Sequence, residues 1–281
     1  MPTIEELKAT ALQVRRDIVR MVYEAQSGHP GGSLGCTELL VALYFHTLRY
    51  QLPFRMDGQG EDLFFLSNGH ISPVWYSVLA RAGFFDKQEL ATFRKIDSRL
   101  QGHPATAEHL DGIRVASGSL GQGLSVALGA AQAKKLNADP HLVYVLMGDG
   151  EQQEGQIWEA AMYGAHHQVD NLIGIIDCNG QQIDGPVQKV MNLQDLQAKW
   201  RSFGWETLDL PQGNDMANVL DALQKAQTLA GKGKPIVILM QTEMGYGVDF
   251  MMGSHEWHGI APNAEQFERA MQQLPATLGD Y

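Results

Sequence analysis

Val143-Tyr144-Val145-Leu146-Met147-Gly148-Asp149-Gly150-Glu151 is followed, after a helical stretch, by Leu172-Ile173-Gly174-Ile175-Ile176-Asp177-Cys178-Asn179-Gly180. Each segment is a short apolar run that breaks at a glycine turn carrying an acid or an amide. Strands that are apolar at every position are buried on both faces, the condition of a parallel sheet covered by helices. The flanking chain keeps the alternation. Helical patterns over residues 122–135, 157–167, 193–202 and 215–230 separate strand patterns over 141–147, 172–177, 205–210 and 235–241. Upstream, 62–66 reads as a short buried strand, followed by the turn Ser67-Asn68-Gly69-His70 and a helix reaching Ala80. The predicted class is α/β, a doubly wound parallel sheet with helices on both faces.

Towards the N-terminus, residues 3–26 predict an amphipathic helix opened by a capping box, Thr3 with Glu6. Residues 37–46 are apolar on nearly every helical face, which fits a core helix or one at an interface. Gly231-Lys232-Gly233-Lys234 is a tight helix-to-strand connection rather than a boundary, so residues 1–281 are expected to form a single domain. The net charge of −11 argues against a broad electrostatic grip on nucleic acid or an anionic membrane. No apolar run approaches the roughly 20 residues of a membrane span, and the first residues lack the basic patch and apolar core of a signal peptide. A cytoplasmic protein is expected, with Cys36 and Cys178 reduced and structural.

In a doubly wound sheet the carboxyl ends of the strands form the ligand crevice. Asp149 offers a hard anionic oxygen there and Asn179 a carbonyl oxygen, a set suited to a magnesium ion that takes its remaining ligands from phosphates and water. Gly148 and Gly150 leave room for a diphosphate at the backbone, near the free N–H groups of the following helix. Gly-Asp-Gly and Asn-Gly are equally ordinary turn chemistry, and both readings stand at this level.

Several further motifs occur in order along the chain: Ser27-Gly28-His29-Pro30-Gly31, Leu66-Ser67-Asn68-Gly69-His70, Gly102-His103-Pro104, Gly118-Ser119-Leu120-Gly121-Gln122-Gly123 and Trp257-His258-Gly259. Together with Gly148-Asp149-Gly150 and Asn179, this series resembles the transketolase family from about residue 15 to residue 261. The resemblance implies thiamine diphosphate as cofactor with magnesium, or calcium or manganese in its place, held by Asp149, Asn179 and the backbone carbonyl of Gln181. It implies cofactor contacts from His70, Gly118, Ser119, Leu120, Gly148, Gly150 and His258. His29, His70, His103 and His258 would line the substrate channel and assist proton transfer. A lone loop histidine is usually only solvated or bonded to backbone, but neutral imidazoles gathered in one crevice donate to sugar hydroxyls and shuttle protons near neutral pH. Of the other histidines, His255 stays a weak candidate through its closeness to His258, and the rest are read as structural. Glu154, a carboxylate in the turn before a helix, would be stabilised by the macrodipole in any protein. By resemblance it lies near a dimer contact and couples two thiamine sites.

Thiamine chemistry also needs a carboxylic acid against the aminopyrimidine, which transketolases carry on a following domain. The resemblance therefore implies the N-terminal subunit of a split transketolase, active only with a separately encoded C-terminal partner. The expected activity is transfer of a two-carbon ketol unit between sugar phosphates. The expected assembly is a heterotetramer, with an apolar interface drawn from residues 39–45 and Met162-Tyr163. Two departures bear on specificity. Gln241 stands where the family often has lysine, and Gly31-Gly32-Ser33-Leu34 with Ile71-Ser72-Pro73 differ from single-chain enzymes. Alternative readings are a component of a deoxyxylulose-phosphate synthase or 2-oxo acid dehydrogenase, or a non-catalytic scaffold of the same fold.

Overall fold

The computed structural model describes all 281 residues. Helix α1 (Ile4–Ala25) starts at the expected capping box, the Thr3 hydroxyl accepting the Glu6 N–H while Glu6 accepts the Thr3 N–H, and stops at Gln26 in the left-handed region. Two short helices follow, α2 (Pro30–Gly35) and α3 (Thr37–Ala42), the latter running into one wide π turn over Leu43–Thr47. Strand β1 (Leu63–Leu66) leads through a tight 3₁₀ turn into α4 (Ser72–Arg81). Then come α5 (Gly123–Leu136), β2 (Val143–Gly148), α6 (Gly155–His166) and β3 (Leu172–Cys178). A two-residue-per-strand hairpin, β4 (Gln181–Gln182) with β5 (Gly185–Pro186), precedes α7 (Val187–Val190), α8 (Leu196–Ser202), β6 (Glu206–Leu210), α9 (Met216–Leu229), β7 (Ile236–Gln241) and α10 (Ala264–Gln273).

The main sheet has the order β1-β2-β3-β7-β6 and every pair in it is parallel. Because side chains alternate across a strand, each apolar strand feeds two cores. Phe64, Leu66, Tyr144, Leu146, Ile173 and Ile238 join α1, α3, α4 and α9 in one cluster, while Phe65, Val143, Val145, Met147, Ile176 and Leu239 join α5, α6 and α8 in the other. The doubly wound fold expected from the sequence is the fold observed. No helix is long and apolar enough to cross a membrane, and both cysteines are free.

One expectation is corrected here. Leu39, Leu40, Val41 and Leu43 are at most 1% exposed and Tyr44 only 7%, so this helix spends its apolar faces inside its own chain, and of residues 39–45 only the half-buried Phe45 retains accessible apolar surface. It is wrapped by α1, α4 and α9, which accounts for its lack of a polar side. Met162 and Tyr163 do lie open, 55% and 46% exposed. On the α1 side, buried ion pairs fix the helices that carry the site loops: Arg81 clasps Asp17 across α4 and α1, and Arg15 clasps Glu38 across α1 and α3.

Candidate active site

All five strands point their carboxyl ends the same way, and the chemistry predicted from the sequence collects there. Asp149 follows β2. Its Oδ1 accepts the N–H of Gly150 and its Oδ2 that of Gly180, each at 2.7 Å. Asn179 follows β3; its amide donates to Asp177 Oδ2 at 2.7 Å and its Oδ1 accepts the Gln181 N–H at 2.9 Å. Asp177 in turn accepts from the Thr242 hydroxyl at the end of β7. Two buried carboxylates thus sit side by side. Burial, with the Asp177 charge next to it, pushes Asp149 up to about 7. No three His, Cys, Asp or Glu side chains are arranged to hold a metal ion together, so a cation here would draw on one carboxylate and neutral oxygens.

Four histidines converge above these strand ends. The His29 ring lies 5.1 Å from His70, 6.1 Å from His103 and 5.6 Å from His258, and His70 stacks on His258 at 4.9 Å. They arrive from separate segments: His29 just before α2, His70 in the turn after β1, His103 in a loop, and His258 in a 3₁₀ turn after β7. Burial lowers all four, and the facing imidazoles oppose a further positive charge on His29 and His70, as Arg94 does on His103. His29 falls to about 4 and His70 well below its ordinary value, with His103 and His258 lowered in the same direction. At neutral pH this is a set of uncharged imidazoles, each with one N–H donor and one lone pair.

A cavity of about 350 Å³ joins the two groups, lined by His29, His70, His258, Asp149, Asn179 and Gln181 among others. Gly118, Leu120, Gly148, Gly150 and Glu154 also border it. His103 and Ser119 do not, although His103 braces the wall: Gly118 has φ +124° and any β-carbon there would sit 2.8 Å from the His103 ring. Ser119 is exposed and bonded to Gln122. Glu154 is exposed at the mouth against Gly121. Gln241 ends β7 in register with Cys178 and stays outside this cavity.

Sequence reasoning missed Glu151 and Asn68. Glu151 is 2% exposed, and its carboxylate accepts from the Ser67 hydroxyl and from the N–H groups of Gly121 (2.7 Å) and Gly148 (3.0 Å). Only the fold brings those donors together; the one sequence signal was its place beside Gly148-Asp149-Gly150. Asn68, 2% exposed, turns a partnerless Oδ1 inward. Gln181 Oε1 and His29 Nδ1 are likewise buried without partners. A β-carbon at Gly148 would meet nothing nearer than 4.0 Å and would fill the cavity instead. Unsatisfied buried polar atoms around a glycine-floored space fit a polar ligand with oxygen-bound metal. A more open groove of about 1090 Å³ lies at the opposite ends of the strands. Its charged groups are already spent, Arg49 on Asp62, Lys135 on Asp170 and Asp139 on Lys134, and it offers no comparable chemistry.

Residues 7–277 match the family described as transketolase, thiamine diphosphate binding domain. The chain belongs to the transketolase family. The transketolase chain is 38% identical over 271 residues to one of the subunits of the apulose-4-phosphate transketolase of Phocaeicola vulgatus, covering 96% of itself and 94% of that protein. It is 35% identical to a 6-deoxy-6-sulfo-D-fructose transketolase subunit of a Clostridium species, with 96% of each covered. Among solved structures, Campylobacter jejuni transketolase superposes with a TM-score of 0.87 at 32% identity over 97% of this chain. Leishmania mexicana transketolase gives 0.89 at 27% identity over all of it. The transketolase chain spans 43% and 42% of those two chains, but nearly the whole of the subunit-sized relatives.

Proposed function

We propose that this chain, as a single diphosphate- and metal-binding domain over residues 1–281, is the N-terminal subunit of a split transketolase. With a C-terminal subunit it passes a two-carbon ketol unit from a ketose phosphate to an aldose phosphate. The observation that carries the reading is the meeting of three uncharged imidazoles, His29, His70 and His258, with the Asp149 and Asn179 strand ends around one cavity, His103 standing behind its wall. Bound thiamine diphosphate supplies the carbon nucleophile and electron sink for breaking the bond beside the ketose carbonyl. Asp149, the Asn179 side-chain oxygen and the Gln181 backbone carbonyl would hold its magnesium, with Gly148 and Gly150 admitting the diphosphate.

His29, His70, His103 and His258 act on the sugar. Neutral rings donate to hydroxyl and carbonyl oxygens and accept protons from hydroxyls without first losing one to solvent. His29 Nδ1, buried and free of any protein partner, is the atom best placed to take or return a proton. Glu154 stands at the mouth, where a second subunit closes the site, and Met162 and Tyr163 give that assembly exposed apolar surface. Two copies of each chain, working in the cytoplasm, are the assembly we favour. The subunit-sized relatives, named for apulose-4-phosphate and for 6-deoxy-6-sulfo-D-fructose, support an anionic sugar outside the common pentoses. The test is to assay ketol transfer by the chain mixed with its pyrimidine-binding C-terminal partner, with and without magnesium and thiamine diphosphate. Transfer needing all four components is expected; full activity from this chain alone overturns the split assignment.

A further inference from the structure

We propose that Glu151 is a positioning residue that locks the loop over residues 118–123 onto the strand ends, holding the cavity wall in place without itself touching cofactor or metal. Its role as a cofactor-site support rests on the function proposed above; the lock itself rests on hydrogen bonds alone. Oε1 accepts from the Ser67 hydroxyl and from Gly121 N–H, and Oε2 accepts from Gly148 N–H. The direction of the Ser67 bond is fixed from the other side. Gly123 N–H donates to Ser67 Oγ at 3.1 Å, so the hydroxyl turns its own proton to Glu151. One carboxylate thereby ties four pieces of chain: the end of β1 at Ser67, the end of β2 at Gly148, the loop before α5 at Gly121, and, through Ser67, the first residue of α5 at Gly123.

The loop needs this. Gly118 and Gly121 both have positive φ, and Ser119 and Leu120 between them are exposed. Gly121 is the amide of this loop that reaches a side-chain acceptor, Glu151, and the Gly123 amide that opens α5 reaches Ser67. Glu151 makes no ion pair, so its charge is answered only by hydroxyl and amide dipoles. Glu151 borders the same cavity as Asp149 and Asn179 but is 2% exposed, and its two oxygens take three protein donors where those of Asp149 take two.

Glutamine cannot replace it. Whichever way the amide turns, its NH₂ meets an N–H, either Gly148 on one side or Gly121 on the other. The experiment is residue-resolved hydrogen–deuterium exchange on the full chain without ligand, for the parent, E151Q and S67A, followed by calorimetric titration of magnesium thiamine diphosphate into the same proteins assembled with the C-terminal subunit. Faster exchange at Gly121 and Gly148 in E151Q and at Gly123 in S67A is expected, with cofactor Kd raised about 10- to 100-fold in E151Q, the usual range for supports one step removed from a ligand. Unchanged exchange at those amides in both variants overturns the proposal, as does diffuse acceleration across both cores, the mark of a merely structural residue. If E151Q does not fold, S67A decides alone through Gly123. A parent protein that binds no cofactor while the exchange pattern holds would defeat the function proposed above and leave the lock standing.

Discussion

The Gly180 N–H reaches across from the end of β3 to donate to Asp149 Oδ2 at the end of β2, at 2.7 Å. With Gly150 on the other oxygen, this aims a carboxylate that burial would otherwise disfavour, and it does so using backbone alone. Asp149 is therefore placed by the sheet's topology, so the side chain can be removed without dismantling what surrounds it.

Asp149→Ala is expected to remove magnesium-dependent thiamine diphosphate binding, a loss beyond the roughly 100-fold seen for indirect supports. The fold should survive. Two amide donors lose a partner at about 1–3 kcal/mol each where water cannot reach them, and relief of the Asp149–Asp177 repulsion offsets part of that. Calorimetric titration alongside a thermal melt measures both; global unfolding would mean that Asp149 is structural.

The contribution of His29 to stability should fall between pH 6.5 and 4, against the opposite slope of Asp149, whose raised carboxyl takes up a proton in the folded chain over the same range. His29 is lowered from 6.5 to about 4 in the folded chain by burial and by the facing His258, Arg94 and His103. Within that window the unfolded chain takes up the proton and the folded one does not. This contribution is thus whole above pH 6.5 and declines towards pH 4, by up to the order of 3 kcal/mol for this group. Urea melts of the parent and of His29→Gln at pH 7.5 and 5 test it: the parent should lose more stability, or gain less, than the variant on going to pH 5.

Gly118→Ala places a β-carbon against the His103 ring on a backbone with φ +124°. A cost of about 1–3 kcal/mol is expected, together with lower ketol transfer in the assembled enzyme as His103 is displaced. Denaturant midpoints and steady-state kinetics on the same preparation report the two effects; wild-type behaviour in both would mean that the loop yields freely.

Asp17→Ala should be the most damaging of these changes, at about 3–5 kcal/mol. It strands Arg81, whose side chain is 6% exposed, and deprives Ser77 and Gln13 of an acceptor. A urea titration gives the figure, and loss below about 1 kcal/mol, the range of exposed pairs, would show that water reaches this one.

The sheet was legible because its strands are apolar at every position, so β2, β3, β6 and β7 lie within two residues of the segments marked from sequence. Asp149, Asn179 and the histidines were visible as polar residues next to glycine at the ends of those runs. Glu151 was not, because a buried carboxylate is identified by its donors, and Ser67 and Gly121 are distant in sequence. Residues 39–45 misled for a related reason. An all-apolar helix signals burial without saying by what, and α1, α4 and α9 of the same chain cover it. The short hairpin after Asn179 was too brief to carry a periodic signal, whereas α10 is strongly amphipathic and opens with an Asn263–Gln266 capping box, a signal present in the sequence and overlooked.

His29 and His258, whose rings stand 5.6 Å apart, come from opposite ends of the polypeptide. Closing so long a loop is slow and late in folding. A cofactor that needs this neighbourhood cannot recognise a chain whose ends have not yet met, and once bound it draws the folding equilibrium towards the finished state by mass action. Vitamin supply would then govern how much of the protein persists in the cell as well as how fast it works.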